Sequence, residues 1–186
     1  MSNGSGNRRP DDLRDVPGGA CVEPAAVFSL DRLYRYTLVR SWRDDLSRVA
    51  FVGLNPSTAD ETADDPTIRK CVGFAKRWGF GSLVMLNLFA WRSTDPKGLR
   101  GLADPIGPEN DARIECETRT PRVTRVVAAW GANKAARGRD LAVIELLTRW
   151  TDLHVLRLTK NRGDPEHPLY MPYETPPRVW RGRIGR

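Results

Sequence analysis

Three short polar segments carry residue types that can do chemistry on a bound ligand. The first is the turn Gly53-Leu54-Asn55-Pro56-Ser57, which closes an apolar run. Glycine lets a flat ligand approach the backbone closely, and Pro56 stiffens the turn. Asn55 then presents a hydrogen-bond donor and an acceptor from a rigid position. The alternative is an ordinary strand-to-loop turn stabilised by Asn and Ser side chains.

The second segment starts at Asn87, which ends another apolar run. A buried amide is costly unless it is paired, so Asn87 either caps the end of a sheet or binds the polar edge of a ligand. Phe89 and Trp91 can stack on a base, although aromatic side chains beside a strand are more often part of the core. Arg92, with the turn that follows it, can hold a phosphate.

The third segment contains His167, in a proline-flanked loop beyond the last apolar run. A fixed imidazole in such a loop can hydrogen-bond an anion that forms on a leaving group. Lys160 and Arg162 precede it in the same loop and are candidates for binding phosphate.

An acidic patch lies between the first two segments and contains Asp60, Glu61, Asp64 and Asp65. Asp64 or Asp60 can position or deprotonate a water, whereas Asp65 is best explained as a helix cap. No histidine completes a transition-metal set and the three cysteines form no CxxC pair, so we expect no metal and no cofactor. A GxxxxGK[ST] or GxGxxG motif is also lacking, which leaves a nucleoside triphosphate or dinucleotide site unsupported.

The elements that must position these segments follow from periodicity. Strand patterns cover 34–42, 48–54, 82–89, 124–130 and 153–158, and helical patterns cover 66–78, 108–118 and 140–150. Alternation of strands with helices predicts an α/β fold, a three-layer α/β/α arrangement around a central, mostly parallel four-stranded sheet. Ligands bind such sheets at the carboxyl ends of the strands, where the three segments above lie.

Composition sets the broad class. The 186 residues suit one domain, predicted over 27–172, with a flexible arm at 1–26 and a basic tail at 173–186. The net charge of +7 attracts phosphate backbones, acidic lipids or acidic substrates, and the alternative is a basic surface that serves solubility. The start of the chain resembles no signal peptide, and no run approaches the roughly 20 apolar residues of a membrane span. We expect a cytoplasmic monomer that binds no membrane.

Several motifs together resemble a bacterial and phage family catalogued only as a domain of unknown function. They are Asn55-Pro56-Ser57-Thr58-Ala59-Asp60, Asp64-Asp65-Pro66-Thr67-Ile68-Arg69, Asn87-Leu88-Phe89-Ala90-Trp91-Arg92, Thr94-Asp95-Pro96, Ala129-Trp130-Gly131 and His167-Pro168-Leu169-Tyr170. The match runs from about 34 to 172. This resemblance implies no activity.

A remoter resemblance is to the uracil-DNA glycosylase superfamily, whose motifs follow in the same order. It implies that the sheet is glycosylase-like and that Asn55, together with Asp64, holds the attacking water. Asn87 would read the base, and His167 would stabilise the departing base. The remaining residues implied for the base are Gly53, Leu54, Pro56, Ser57, Phe89 and Trp91. The chain departs from the family pattern at Leu169, where the consensus has serine, and it lacks the cluster-binding cysteines of one branch.

The resemblance therefore implies hydrolysis of an N-glycosidic bond of a modified base in DNA, with Arg92, Lys160 and Arg162 on the flanking phosphates. Two alternatives stay open. One is an enzyme that acts on free nucleosides or nucleotides. The other is a non-catalytic module that binds modified bases or DNA ends.

Overall fold

A computed structural model describes residues 25–57, 59, 62–99 and 101–181. Within them the chain forms a mixed α/β fold with one seven-stranded sheet and three α-helices. The strands are β1 (Ala26–Phe28), β2 (Arg35–Ser41), β3 (Arg48–Gly53), β4 (Ser82–Asn87), β5 (Val123–Ala128), β6 (Leu153–Val155) and β7 (Arg178–Trp180). The helices are α1 (Pro66–Arg77), α2 (Asn110–Thr118) and α3 (Arg139–Thr148).

The strand order in the sheet is β1-β2-β4-β3-β5-β6-β7. β3 pairs in parallel with β4 and β5, and β5 pairs in parallel with β6. The pairings of β1 with β2, of β2 with β4 and of β6 with β7 are antiparallel. The sheet therefore has seven strands where four were predicted, because antiparallel strands, which need no crossover helix, extend both edges of the parallel strands β4, β3, β5 and β6.

The hydrophobic core occupies both faces of the sheet, because successive strand residues point to opposite sides. Phe51 of β3 and Met85 of β4 face α1, which contributes Ile68, Cys71, Phe74 and Ala75 to that cluster. Val52 of β3 and Leu86 of β4 belong to the other cluster, to which α2 and α3 contribute Ile114, Val143, Ile144 and Leu147.

Helix α1 begins and ends where the sequence predicts. Asp65 is the N-cap, and its Oδ1 accepts a hydrogen bond of 2.8 Å from the Ile68 amide. Pro66 takes the first helical position, which lacks a partner for an N–H in any case. Gly79 follows the helix with φ +81°, the left-handed conformation that glycine adopts without strain. The cap fixes the positive end of the helix near the end of β3.

Some residues that the sequence analysis singled out lie outside the described residues. They are residues 1–24 of the predicted arm, Asp60 and Glu61 of the acidic patch, and residues 182–186 of the predicted tail. The described part of the tail includes β7, which pairs with β6. No helix in the described ranges combines the length and the apolar character that crossing a membrane requires.

Candidate ligand-binding site

A cleft of about 420 Å³ lies at the carboxyl ends of the central strands. It opens at the end of β3, which lies between β4 and β5 in the sheet. Open α/β sheets bind ligands at the point where the strand order reverses in this way. The residues that line it are Arg35, Gly53, Leu54, Asn55, Ser57, Asp65, Thr67, Ile68, Met85, Asn87, Ser93, Thr94, Trp130, Gly131, Ala132, Asn133, His167 and Tyr170. All four segments that follow the parallel strands contribute to this lining.

Asn87, the last residue of β4, is 1% exposed. Neither its Nδ2 nor its Oδ1 has a hydrogen-bond partner among the described residues. An unmade hydrogen bond of a buried group costs about 1–3 kcal/mol, so buried side-chain amides are nearly always bonded within a protein. A fully buried amide that lines a cleft without partners is prepared for a ligand that supplies them.

The absence of a side chain at Gly53 leaves the space that the Asn87 amide occupies. A Cβ at Gly53 would lie 2.8 Å from Oδ1 of Asn87 and 2.6 Å from Cε of Met85. Both distances are shorter than real Cβ contacts, so any side chain here would displace the amide. The glycine at the end of β3 is therefore part of the site and not only a turn residue.

Hydrogen bonds from α2 and α3 fix the backbone at Asn87. The buried Asn110, the first residue of α2, donates from Nδ2 to the carbonyl oxygens of Asn87 and Leu88, each at 3.1 Å. Arg139 of α3 donates from Nε to the Leu88 oxygen at 2.8 Å, and its guanidinium also pairs with Asp111. These bonds fix the end of β4 and leave the Asn87 side chain to the cleft.

His167 reaches the cleft from the loop after β6. Its Nδ1 accepts a hydrogen bond from the Leu169 amide at 3.3 Å. Burial lowers the pKa of His167 below its ordinary value, and the negative charge of Asp65 opposes this in part. The imidazole is therefore neutral near pH 7, and because Nδ1 accepts, its proton is on Nε2. His167 thus has one N–H to offer a ligand.

The segment after His167 is fastened to α1. Met171 is buried in the core on the α1 side, and the Tyr173 ring covers Gly73 so closely that a Cβ there would lie 2.5 Å from its Cε1. The Lys70 ammonium lies 3.7 Å and the Arg77 guanidinium 4.0 Å from the centre of the same ring, within the range of cation–π attraction. This packing fixes where the chain leaves His167.

Asn55 ties two loops together. Its Nδ2 donates to the carbonyl oxygens of Pro56, at 3.1 Å, and of Ser93, at 2.8 Å. The Ser93 amide in turn donates to the Pro56 oxygen at 2.9 Å. The loops after β3 and β4 are joined by these bonds, and Oδ1 is the atom of the Asn55 amide that remains for a ligand or a water.

Six of the predicted site residues meet in the cleft lining: Gly53, Leu54, Asn55, Ser57, Asn87 and His167. The other predicted residues lie outside it. Asp64 pairs with Nε of Arg40 at 2.7 Å, and Phe89 packs in the core on the α2 and α3 side. Trp91 meets Tyr34 edge-on, with ring centres 5.4 Å apart. The rest are the buried Pro56, the half-buried Arg92 and the exposed Lys160 and Arg162.

The structure adds lining residues that were not predicted as site residues. Arg35, the first residue of β2, is 2% exposed, and its guanidinium donates to the Ala59 oxygen. Trp130 is also buried, and its Nε1 has no partner among the described residues. Asp65 and the largely exposed Tyr170 also belong to this group. The Ala-Trp-Gly motif at the end of β5 was the available signal for Trp130, since Gly131 has φ +75° and marks a turn that only glycine makes easily.

No three His, Cys, Asp or Glu side chains in the described ranges are grouped so that they could hold a metal ion. Cys71 is on the buried side of α1, and this burial strongly raises the pKa of its thiol, so it remains protonated. The polar side-chain groups that line the cleft are thus amides, hydroxyls, one indole, one neutral imidazole, one guanidinium and one carboxylate.

Comparison with known proteins agrees with the motif pattern. No curated protein and no solved structure matches the chain. A family model described as a protein of unknown function (DUF1643) matches residues 35–169. The predicted resemblance to a family of unknown function is confirmed, while that to the uracil-DNA glycosylases stays a prediction. The chain belongs to the DUF1643 family.

Proposed function

We propose that the cleft binds a nucleobase turned out of a nucleic acid and that the protein hydrolyses the N-glycosidic bond of this base. The observation that carries the proposal is the buried Asn87 amide, which has neither of its polar atoms paired among the described residues. A primary amide offers one acceptor beside two donors, and this complements the adjacent donors and acceptors on the edge of a base.

The other residues of the cleft then take definite roles. Asn55 Oδ1 accepts a hydrogen bond from the attacking water, whose oxygen bonds to the anomeric carbon as the carbon–nitrogen bond breaks. The bond's electron pair leaves with the base, and Nε2–H of His167 donates to the anion that forms. Asp65 is the one carboxylate among the described lining residues, and it accepts the proton of the water. Tyr170, exposed at the rim, stacks on the base in place of Phe89 and Trp91.

Charge and motif order support a nucleic acid as the substrate. The net charge of +7 favours a polyanion, and Arg92, Lys160 and Arg162 lie outside the cleft, where phosphates would run. Gly53, Asn87 and His167 follow one another in the order of the glycosylase motifs. We extend the proposal to a remote relationship with that superfamily.

Base release from oligonucleotides tests the proposal. The panel carries uracil and other deaminated, hydroxymethylated or otherwise modified bases in single and double strands, at low and high salt. We expect the wild-type protein to release the base from one oligonucleotide of the panel. The Asn87→Ala and His167→Gln variants should release no base from it. Asn161→Ala is the matched control, because Asn161 is exposed in the loop before His167. Full release by Asn87→Ala would refute the role given to the amide.

One observation favours a non-catalytic module as the second candidate. The side-chain nitrogen of Asn55 donates to two loop carbonyl oxygens, and these bonds alone give the residue a structural role that needs no catalysis. In that case the wild type would bind one member of the panel tightly and release no base, and Asn87→Ala would weaken the binding.

A further inference from the structure

Helix α1 presents a basic surface to the solvent. Its charged residues are all cationic, namely Arg69, Lys70, Lys76 and Arg77, and all but the half-buried Lys70 are exposed. The helices on the opposite side of the sheet differ, since α2 has three acidic residues and one basic, and α3 has two acidic and one basic. Positive charge is therefore concentrated on one side of the sheet, and we call the surface formed by these four side chains the α1 basic face.

The cations of the α1 basic face have no acidic partners. No carboxylate among the described residues forms an ion pair with any of the four side chains, and the exposed Glu174 nearby in the chain pairs with none of them. Several surface arginines elsewhere do have a carboxylate partner, namely Arg43, Arg113, Arg119, Arg122, Arg149 and Arg157. A cluster of like charges without counter-charges attracts a polyanion, which releases bound counterions when it docks.

Aromatic rings hold three of these cations in place. Lys70 Nζ lies 3.7 Å and Cζ of Arg77 lies 4.0 Å from the centre of the Tyr173 ring, so that one ring fixes both. Lys76 Nζ lies 5.3 Å from the centre of the Trp42 ring. Long side chains that are ordered in advance lose less entropy when they bind a partner. Because cations already lie over these rings, the surface presents charge rather than platforms on which bases could stack.

The α1 basic face begins beside the cleft. The first turn of α1 contributes Ile68 to the cleft lining. Lys70 follows in the same helical turn, and Arg77 lies about 10 Å further along the helix at a rise of roughly 1.5 Å per residue. The segment after the cleft rim connects the same two places, because it carries Tyr170 at the rim and Tyr173 on the helix. A strand that has one base in the cleft can therefore continue along α1.

The composition of the α1 basic face favours a phosphate backbone over a membrane. An interfacial helix inserts large apolar side chains into the lipid, and α1 exposes none. In the described part of the chain the large apolar residues that are exposed belong to other elements, namely Leu30, Leu33, Leu141, Leu169, Tyr170 and Val179. Lysine and arginine contact phosphates of a nucleic acid whatever its sequence.

We propose that the α1 basic face binds the phosphate backbone of the nucleic acid strand whose base occupies the cleft. The proposal rests on the proposed function for the nature of the partner and adds the surface that holds the strand. The strand leaves the cleft past the first turn of α1 and follows the helix towards Arg77, and the contacts carry no sequence preference.

Fluorescence anisotropy of a labelled, unmodified oligonucleotide over a series of KCl concentrations tests this without requiring base release. Lys70→Gln/Arg77→Gln removes two cations, and Arg69→Gln/Lys76→Gln removes the other two while the Tyr173 ring stays covered. We expect each double variant to bind at least about tenfold more weakly at about 50 mM salt. The slope of log affinity against log salt should fall by about two, which is about one for each lost contact.

Arg113→Gln/Arg119→Gln is the matched control. It lowers the net charge by the same amount at α2, on the opposite side of the sheet, and both arginines are on the surface. This variant should bind the oligonucleotide as the wild type does. Equal losses in the control and in the α1 variants would show a general effect of net charge and would overturn the proposal.

The proposal and the proposed function fail separately. If the wild type releases a base and both α1 variants bind like the control, the role of the α1 basic face is refuted and hydrolysis stands. If no base is released from any oligonucleotide but binding depends on the α1 cations, the face stands and hydrolysis is refuted. A wild type that binds neither single-stranded nor duplex oligonucleotide, but binds vesicles containing phosphatidylserine through these cations, overturns the proposal in favour of a membrane.

Discussion

Replacing Asn87 with alanine is expected to make the protein more stable while it removes ligand binding. Each unpaired polar group of a buried amide costs about 1–3 kcal/mol, and Asn87 has two such groups among the described residues. The substitution also removes van der Waals contacts of three side-chain atoms, at about 0.1–0.2 kcal/mol per contact. We expect a net rise of about 1 kcal/mol in the free energy of unfolding, which is about 2–4 °C in Tm for a chain of this size.

Urea unfolding followed by far-UV circular dichroism measures this change, provided that the slope against urea stays constant. Asn110→Ala is the comparison at the same edge of the sheet. Asn110 is equally buried and its Oδ1 is also unpaired among the described residues, but its amide nitrogen donates to two carbonyl oxygens. Because its removal would leave both carbonyl oxygens unpaired, it should cost about 1–3 kcal/mol. If Asn87→Ala also lost more than about 1 kcal/mol, its amide would have to be bonded inside the protein, and the reasoning about the site would fail.

Three further predictions concern the walls of the cleft. Gly53→Ala should weaken binding of any cleft ligand at least about tenfold, because its Cβ would displace the Asn87 amide. Its effect on the free energy of unfolding should be small, because the close atoms are the ends of the Asn87 and Met85 side chains, which can move; equilibrium binding and urea unfolding measure the two effects. Gly73→Ala should displace the Tyr173 ring and, by loosening the loop, lower kcat more than it raises KM, whereas an unchanged kcat would mean that this packing does not position His167. Because burial lowers the pKa of His167 in the folded protein, the unfolded chain binds a proton at His167 at a higher pH than the folded protein does. The contribution of His167 to the free energy of unfolding is therefore fully present above pH 6.5 and should be lost as the pH falls from there towards the folded pKa. His167→Gln should remove this part of the pH dependence of unfolding. Base release should fall over the same low-pH range, since protonated Nδ1 cannot accept from the Leu169 amide.

The sequence predicts the parts of the fold that have a strong local signal. The apolar runs at 48–54 and 82–89 became β3 and β4, and the capped, amphipathic stretch from Asp65 became α1. The edge strands β1 and β7 have three residues each, too few for a periodicity. Their formation depends on pairing with β2 and β6, which the sequence does not display.

The candidate site was predictable to a similar extent. The rule that ligands bind at strand ends led to Asn87 and His167, because each follows or ends an apolar run. Phe89 was expected to face a base, yet it packs in the core, since residue type does not reveal which way a side chain turns after a strand. Arg35 could not be found, because only the antiparallel pairing of β2 with β4 brings it to the cleft.

The cleft draws its lining from connections that are spread over most of the chain, and this has a consequence for synthesis on the ribosome. Arg35 and Gly53 leave the exit tunnel well before His167 does, and before Tyr173, whose ring fastens the His167 segment to α1. A nascent chain therefore carries the Asn87 amide for some time with one wall of its pocket still inside the ribosome. The cleft is complete only after the segment that carries His167 and Tyr173 has left the ribosome.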